Sequence, residues 1–382
     1  MKQKAPNDKT ATDFPLKNIY FYLTKGCNLK CRHCWIAPEY QSSDGNSLPV
    51  MDIGLMQSII EQAKPLGLAG VKLTGGEPLM HPLISDILEL IHSEGLNLTI
   101  ETNGILCTPV LAEQIKRSSN RLSVSVSLDG ADAQVHEWVR GVPGSFDAAL
   151  EGLNNLSRVG VKPQIIMSIM RRNKHQIEQV IRLAEEIGAG SVKFNPIQPT
   201  ARGDAMHDAL ETLTIQELIE LGDWVENDLS SSTPLRLHYT HPMAFRSLSR
   251  MYGDNGIGCG VCGILGILGV LAEGSYSLCG IGETVPDLVF GNAKIDRLED
   301  VWRDCTIINE LRDDFTSKID GICGECLMNN ICKAGCVAQN YYTNKSLWAS
   351  YWYCEEAYEA GLFPETRLKP KSTKENRIGI GC

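Results

Sequence analysis

KNIYFYLTKGCNLKCRHC, residues 17–34, is the stretch on which the reading of this chain turns. Residues 17–23 are rich in aromatic and β-branched side chains and read as a strand. Directly after it come Cys27, Cys31 and Cys34. Three thiols therefore sit on a loop leaving the C-terminal end of a strand, where parallel α/β sheets place their chemistry. Outward from there the same unit repeats. Strands are expected at 70–76, 96–104, 121–130, 163–169 and 191–197, with amphipathic helical patterns at 51–67, 81–95, 145–160 and 174–188 between them. Six βα units imply a parallel sheet curled by right-handed crossovers, so the expected fold is α/β, a partial (βα)6 TIM-like barrel.

Composition bounds the rest. With 382 residues and 43% hydrophobic content the chain buries a substantial core, and a net charge of −10 repels phosphate backbones and anionic lipid. Neither nucleic acid nor a membrane is an expected partner: the first fifteen residues lack an apolar signal core, and no run of 18 apolar residues occurs. A cytoplasmic location follows as the expectation. Fourteen cysteines then need a reason. A chain of this size does not require disulfide stapling, so metal ligation leads.

Three thiolates on one loop can each hold one iron of a 4Fe–4S cubane and leave the fourth iron open. The competing reading is zinc, with His33 completing the ligand set. CNLKCRHC resembles the CxxxCxxC signature of the radical S-adenosylmethionine (AdoMet) superfamily. That resemblance implies that AdoMet chelates the open iron and is cleaved by one electron to a 5′-deoxyadenosyl radical, which abstracts hydrogen from an unactivated carbon. It also assigns AdoMet contacts. Gly75, Gly76 and Glu77 match the family's GGE segment, where glycine admits close backbone approach to a ligand. Asn103 in ETNG and Ser127 in SLDG lie at the next two strand ends, and Arg140 in HEWVRG (136–141) is a candidate for the AdoMet carboxylate. Taken singly, each of these also reads as a strand-end turn or an ion pair.

Beyond a boundary near 230 the pattern changes. The expected organisation is an arm at 1–16, the barrel at 17–229, a linker or bridge at 230–255, a cysteine-rich domain at 256–355 and a polar, basic tail at 356–382 that is mobile unless it docks. Cys259, Cys262, Cys279, Cys323, Cys326, Cys332, Cys336 and Cys354 are the complement for two fully ligated clusters. Their spacing is similar to the SPASM domain found on a subset of radical AdoMet enzymes. By that resemblance one auxiliary cluster takes Cys259, Cys262, Cys279 and Cys336, and the other takes Cys323, Cys326, Cys332 and Cys354, for three 4Fe–4S clusters in all. VLAEGSYSLC (270–279) reads as a hairpin delivering Cys279. Cys107 and Cys305 read as packed thiols, Cys382 as terminal, and the aromatics of NYYTNKSLWASYWYC (340–354) as packing.

The resemblance implies an oxidoreductase that modifies a peptide or protein, installing a thioether or carbon–carbon crosslink, with an electron donor such as ferredoxin or flavodoxin. About 16 residues precede the first strand, so leader recognition is expected from a separate protein, the SPASM face or the tail. Alternatives are an anaerobic sulfatase maturase, a tetrapyrrole-modifying relative and a plain electron-transfer scaffold. Sulfatase maturases carry Asp after the hairpin cysteine, whereas Cys279 is followed by Gly280.

Overall fold

A computed structural model describes residues 14–41, 48–253, 262–313 and 315–370. Six parallel strands stand where the sequence places them: β1 (Asn18–Tyr22), β2 (Gly70–Thr74), β3 (Asn97–Thr102), β4 (Leu122–Ser127), β5 (Gln164–Ile169) and β6 (Ser191–Pro196). The stretch expected as a linker contributes a seventh, β7 (Arg236–Tyr239), parallel to β6. Its apolar phase is only Leu237 and Tyr239, too short to stand out from the turn residues before it.

The cysteine-rich half continues the same sheet. β8 (Ile267–Val270) runs parallel to β1, and β9 (Ser275–Ser277) and β10 (Val289–Asn292) complete it antiparallel. The expected hairpin before Cys279 is β8–β9. The resulting order, β10-β9-β8-β1-β2-β3-β4-β5-β6-β7, leaves two unpaired edges among the described residues, so the barrel is open.

Alternation along each strand separates two faces. Ile19, Phe21, Val71, Leu73, Leu98, Ile100, Val124, Val126, Ile165, Met167, Val192 and Phe194 share one core with the helices. α1 (Ile53–Ala63) buries Met56, Ile59, Ile60 and Ala63, and α2 (Ile84–Ser93) buries Ile84, Ile87, Leu88 and Ile91, both at helical spacing. Each such side chain contributes about 1.5–3 kcal/mol on burial. Side-chain caps fix where helices start: Asp52 accepts from Leu55 N–H (2.7 Å), and Asp132 accepts from Val135 N–H (2.9 Å) at α4 (Ala133–Arg140).

The opposite face carries Lys72, Thr74, Glu101, Ser125, Ser127, Ser168, Lys193 and Asn195. A closed (βα)8 barrel fills its interior with branched apolar side chains. Here the interior is polar and encloses space, so the strands build a lumen. Among the described residues no helix is long and apolar enough to cross a membrane.

Candidate active site

The cysteine loop closes the C-terminal mouth of this lumen and is held by protein backbone. Residues 26–27 pair with 39–40 in a short parallel bridge. Lys30 N–H donates to Arg140 O (3.0 Å) and Arg32 N–H to Val139 O (3.0 Å), so the last carbonyls of α4 find their partners in the cysteine loop. Gly141 ends that helix at φ 74°, with its Cα hydrogens against Lys30, whose carbonyl would lie 2.7 Å from an added Cβ. Arg32 also donates from Nε to Trp138 O (2.8 Å) and lies over the Trp138 ring.

The GGE turn is pressed onto the same loop. Gly76 N–H donates to Thr24 O (2.9 Å) and Glu77 N–H to Gly26 O (3.0 Å). A Cβ on Gly76 would sit 1.9 Å from Gly26 O. At this glycine the protein's own backbone approaches closely, and Gly76 also lines the cavity with the cysteines. Gly75, at φ 131°, packs less closely on Leu23 and Thr24, whose backbone atoms would lie 3.0 Å from an added Cβ.

Glu77 and Asn103 are likewise engaged within the protein. The buried Glu77 carboxylate accepts from Leu79 N–H (3.0 Å), Thr102 Oγ1 (2.6 Å) and Asn103 N–H (2.8 Å). Burial raises its pKa and these donors oppose the rise. Asn103 Nδ2 donates to Asn28 Oδ1 (2.7 Å), tying the ETNG turn to the residue after Cys27. Arg140 is neither a surface ion pair nor free: it is buried, with Nε 2.8 Å from Asp129 Oδ2 and a terminal nitrogen 3.5 Å from Cys31 Sγ. Asp129 is fully buried, and Ser168 N–H donates to it (2.8 Å). Burial favours the neutral carboxyl, but Arg140 and His33 outweigh it and hold Asp129 below the usual range.

Cys27, Cys31 and Cys34 all line one cavity of about 360 Å³, together with Gly75, Gly76, Glu77, Asn103, Ser127 and Arg140. Burial raises the Cys27 and Cys31 thiols, and Arg140 partly offsets it at Cys31. Buried thiols of this kind ionise when a cation binds them. The donor set fits a 4Fe–4S cluster with one open iron, because three cysteines and no fourth line the cavity. It fits zinc poorly: among the described residues no three His, Cys, Asp or Glu side chains converge on a point that could hold a single ion, whereas zinc gathers its ligands at about 2.0–2.3 Å. His33 lies 3.9 Å from Asp129 and is driven to about 4 by burial.

Sequence reasoning missed Arg202, whose guanidinium donates to Pro38 O (2.6 Å) and Cys31 O (3.3 Å) from α7 (Arg202–Asp208), the helix after β6. It also missed Lys72, Glu101 and Lys193 in the lumen. Their signal was a charged residue in the polar phase of an otherwise apolar strand, as in GVKLT, LTIET and SVKFN.

Residues 21–184 match the family model described as the Radical SAM superfamily. This stretch matches as a radical SAM domain. An AdoMet-dependent heme synthase of Methanosarcina barkeri is 28% identical over 347 residues, covering 88% of this chain and 95% of that protein. The mycofactocin maturase MftC of Mycolicibacterium smegmatis is 27% identical over 365 residues, covering 94% and 87%. Among solved structures, Streptococcus suis SuiB bound to S-adenosylmethionine superposes with a TM-score of 0.67 at 22% identity, covering 90% of this chain and 77% of that one. A radical SAM domain implies a 4Fe–4S cluster and AdoMet, and an enzyme acting by radical chemistry.

Seven of the remaining cysteines gather in two groups. Cys262, Cys279 and Cys336 lie within electrostatic reach of one another; burial lifts all three thiols, Cys336 to about 12. Cys259, expected with them, lies outside the described residues. Gly280 N–H donates to Tyr22 Oη (2.6 Å), and a Cβ on Gly280 would lie 2.3 Å from the Tyr22 ring. The Asp of sulfatase maturases has no room there. Cys323, Cys326, Cys332 and Cys354 line a second, small cavity with Pro242, Ala244 and Asn329. Met328 N–H donates to Cys326 Sγ (3.3 Å) and Tyr351 N–H to Cys323 Sγ (3.5 Å).

The aromatics here do more than pack. Tyr351 Oη (3.1 Å) and Trp352 Nε1 (2.9 Å) both donate to Gln198 Oε1 just beyond β6, tethering this group to the barrel. The start of the tail docks: Arg367 donates to Arg246 O (3.0 Å), and Leu368 bridges Cys326. Cys107 is buried, and burial and then Glu77 raise its thiol to about 12. Cys305 lies between two short helices rather than on one, and Cys382 is outside the described residues.

Proposed function

We propose that this chain is a peptide maturase. It holds an AdoMet-binding 4Fe–4S cluster on Cys27, Cys31 and Cys34 and two fully ligated auxiliary clusters, one on Cys259, Cys262, Cys279 and Cys336 and one on Cys323, Cys326, Cys332 and Cys354. The supporting observation is the arrangement of the thiols: three share an open cavity with Ser127 and Arg140, and four surround a small one. The division follows the barrel at 17–229, the bridge at 230–255, the auxiliary-cluster domain at 256–355 and the tail, in a reducing cytoplasm.

When bound, the first cluster and AdoMet supply one-electron cleavage of a sulfonium and hydrogen abstraction from an unactivated carbon. The protein's share is positional. Arg140, anchored by Asp129, presents cationic charge beside Cys31 and steadies the anionic ligand set. Gly76 brings the GGE turn onto the loop, and Asn103 fixes Asn28, so the mouth is rigid before any ligand arrives. Ser127 would serve the AdoMet ribose and Arg140 its carboxylate, and both line the same cavity. Clusters held by Cys259, Cys262, Cys279 and Cys336 and by Cys323, Cys326, Cys332 and Cys354 would supply an acceptor for the surplus electron that an oxidative crosslink leaves on the substrate.

The second reading is a tetrapyrrole-modifying enzyme, favoured by the 28% identity to a heme synthase. The two separate on one experiment. Replacing Cys279 or Cys326 by Ala should keep AdoMet cleavage but uncouple it from product, read as the ratio of 5′-deoxyadenosine to modified peptide encoded beside this gene. A product lighter by about two mass units supports oxidation. Turnover of a porphyrin with no change in any neighbouring peptide refutes the peptide reading.

A further inference from the structure

We propose that Lys72 and Lys193 form a seat for a carboxylate of the substrate in the barrel lumen; the inference deepens the peptide reading and rests on it for the source of that carboxylate. The observation is a charge imbalance in a confined place. Lys72 and Glu101, on the neighbouring strands β2 and β3, and Lys193 on β6 line the same cavity. Lys72 Nζ lies 2.6 Å from Glu101 Oε1 and over the Tyr20 ring at 4.7 Å, so the one carboxylate of the trio already has a partner. Lys193 makes no ion pair among the described residues. The groups that act on it electrostatically are Glu101 and Lys72, of opposite sign. His238, its register partner on β7, adds no negative charge: burial and the surrounding Arg236, Lys193, Arg246 and Arg250 hold its imidazole neutral.

A half-buried ammonium without a counter-charge is costly, and an anion delivered by a ligand removes that cost. Ser125, Ser168 and Asn195 line the same wall and supply neutral hydrogen-bonding groups around it. Burial lowers the Lys193 pKa, as expected of a cation short of a partner.

AdoMet's own carboxylate is the obvious rival occupant, and the geometry argues against it. Arg140, 3.5 Å from Cys31 Sγ, is the cation placed beside the cysteine loop. Lys72 and Lys193 stand instead on the wall of the lumen, on β2 and β6. The seat therefore lies on that wall, apart from the guanidinium at the loop.

The test needs no knowledge of the natural substrate. The anaerobically reconstituted, AdoMet-loaded full chain is treated with a limiting amine-acetylating reagent, and labelling of Lys193 is read by peptide mass spectrometry against added probes. The probes are N-acetyl-triglycine as free acid, its C-terminal amide, N-acetyl-Gly-Glu-Gly-amide, and a porphyrin bearing propionate side chains. At about ten times its half-protection concentration an acid should slow Lys193 labelling about tenfold, while the neutral amide leaves it unchanged. In Lys72→Gln the half-protection concentration should rise about tenfold. Protection by the free acid alone identifies a C-terminal carboxylate, and by the glutamyl peptide a side chain. Protection by the porphyrin and by neither peptide keeps the seat and overturns the peptide reading. Protection by AdoMet without a probe, equal protection by acid and amide, or none at all overturns the seat.

Discussion

The two cysteine-bearing regions use the same residue type for opposite ends. At the barrel mouth three thiols share a cavity of about 360 Å³ with a turn, two strand ends and a buried arginine. At the far end of the chain four thiols close on a space barely larger than the sulfurs' own neighbourhood, and backbone N–H groups point at two of them. The first arrangement leaves room for a ligand on the metal side, and the second leaves none. Ligand chemistry belongs with an incomplete protein ligand set, and electron storage with a complete one screened by backbone hydrogen bonds.

That contrast breaks most visibly if the mouth is emptied. Changing Cys27, Cys31 and Cys34 together to Ala should abolish 5′-deoxyadenosine formation with dithionite and lower bound iron from about twelve to about eight per chain. Colorimetric iron and chromatography of the nucleoside check both; deoxyadenosine formed by the triple variant would contradict the division of labour.

The next largest effect concerns what steadies the mouth. Asp129→Asn removes the partner of a buried guanidinium 2.8 Å away. Stranding that charge should destabilise the barrel by about 3 kcal/mol. Iron at the first site should fall while the auxiliary-cluster absorption survives, as denaturation and spectroscopy of the reconstituted chain would show. Gly280→Asp perturbs the other region. Its Cβ would lie 2.3 Å from the Tyr22 ring, so the variant should lose the cluster near Cys279, about four irons, and retain AdoMet cleavage. Full iron content would mean that Tyr22 does not brace Cys279.

How much of this was readable beforehand follows from what each residue must do. The six barrel strands were legible because an apolar phase packed against helices needs β-branched residues at every second position. β7 was not, since four residues carry only two such positions. The cysteine loop was legible from spacing alone. Gly76 was legible as a necessary glycine, but not its reason: the Gly26 carbonyl arrives from 50 residues earlier in the chain. Arg140 was found by its neighbours in sequence, whereas Asp129, which anchors it, was noted only as part of a turn. The lumen lysines left only the signal of a charge in the polar phase of a strand, and Arg202 left none, because their partners are backbone carbonyls and residues on other strands.

The smallest effect is a control outside both regions. Glu217, at the start of α8 (Ile215–Asp223), accepts from Lys174 Nζ (2.8 Å) and Thr214 N–H (2.8 Å), and Lys174 is the main cause of a pKa drawn down from 4.5 to about 2. A depressed carboxylate contributes stability that is present above its ordinary value and lost as pH falls through about 2. Glu217→Gln should flatten stability against pH in that acid window and cost less than about 1 kcal/mol at neutral pH. Iron content and deoxyadenosine yield should not move.

The central claim, one open ligand set and two closed ones, is tested most directly by Mössbauer spectroscopy of the iron-57-reconstituted full chain before and after AdoMet is added. The account predicts that one iron site of about twelve changes its spectrum, and that no change occurs in the variant lacking Cys27, Cys31 and Cys34. A response that persists in that variant, or one shared by more than one cluster, would contradict it.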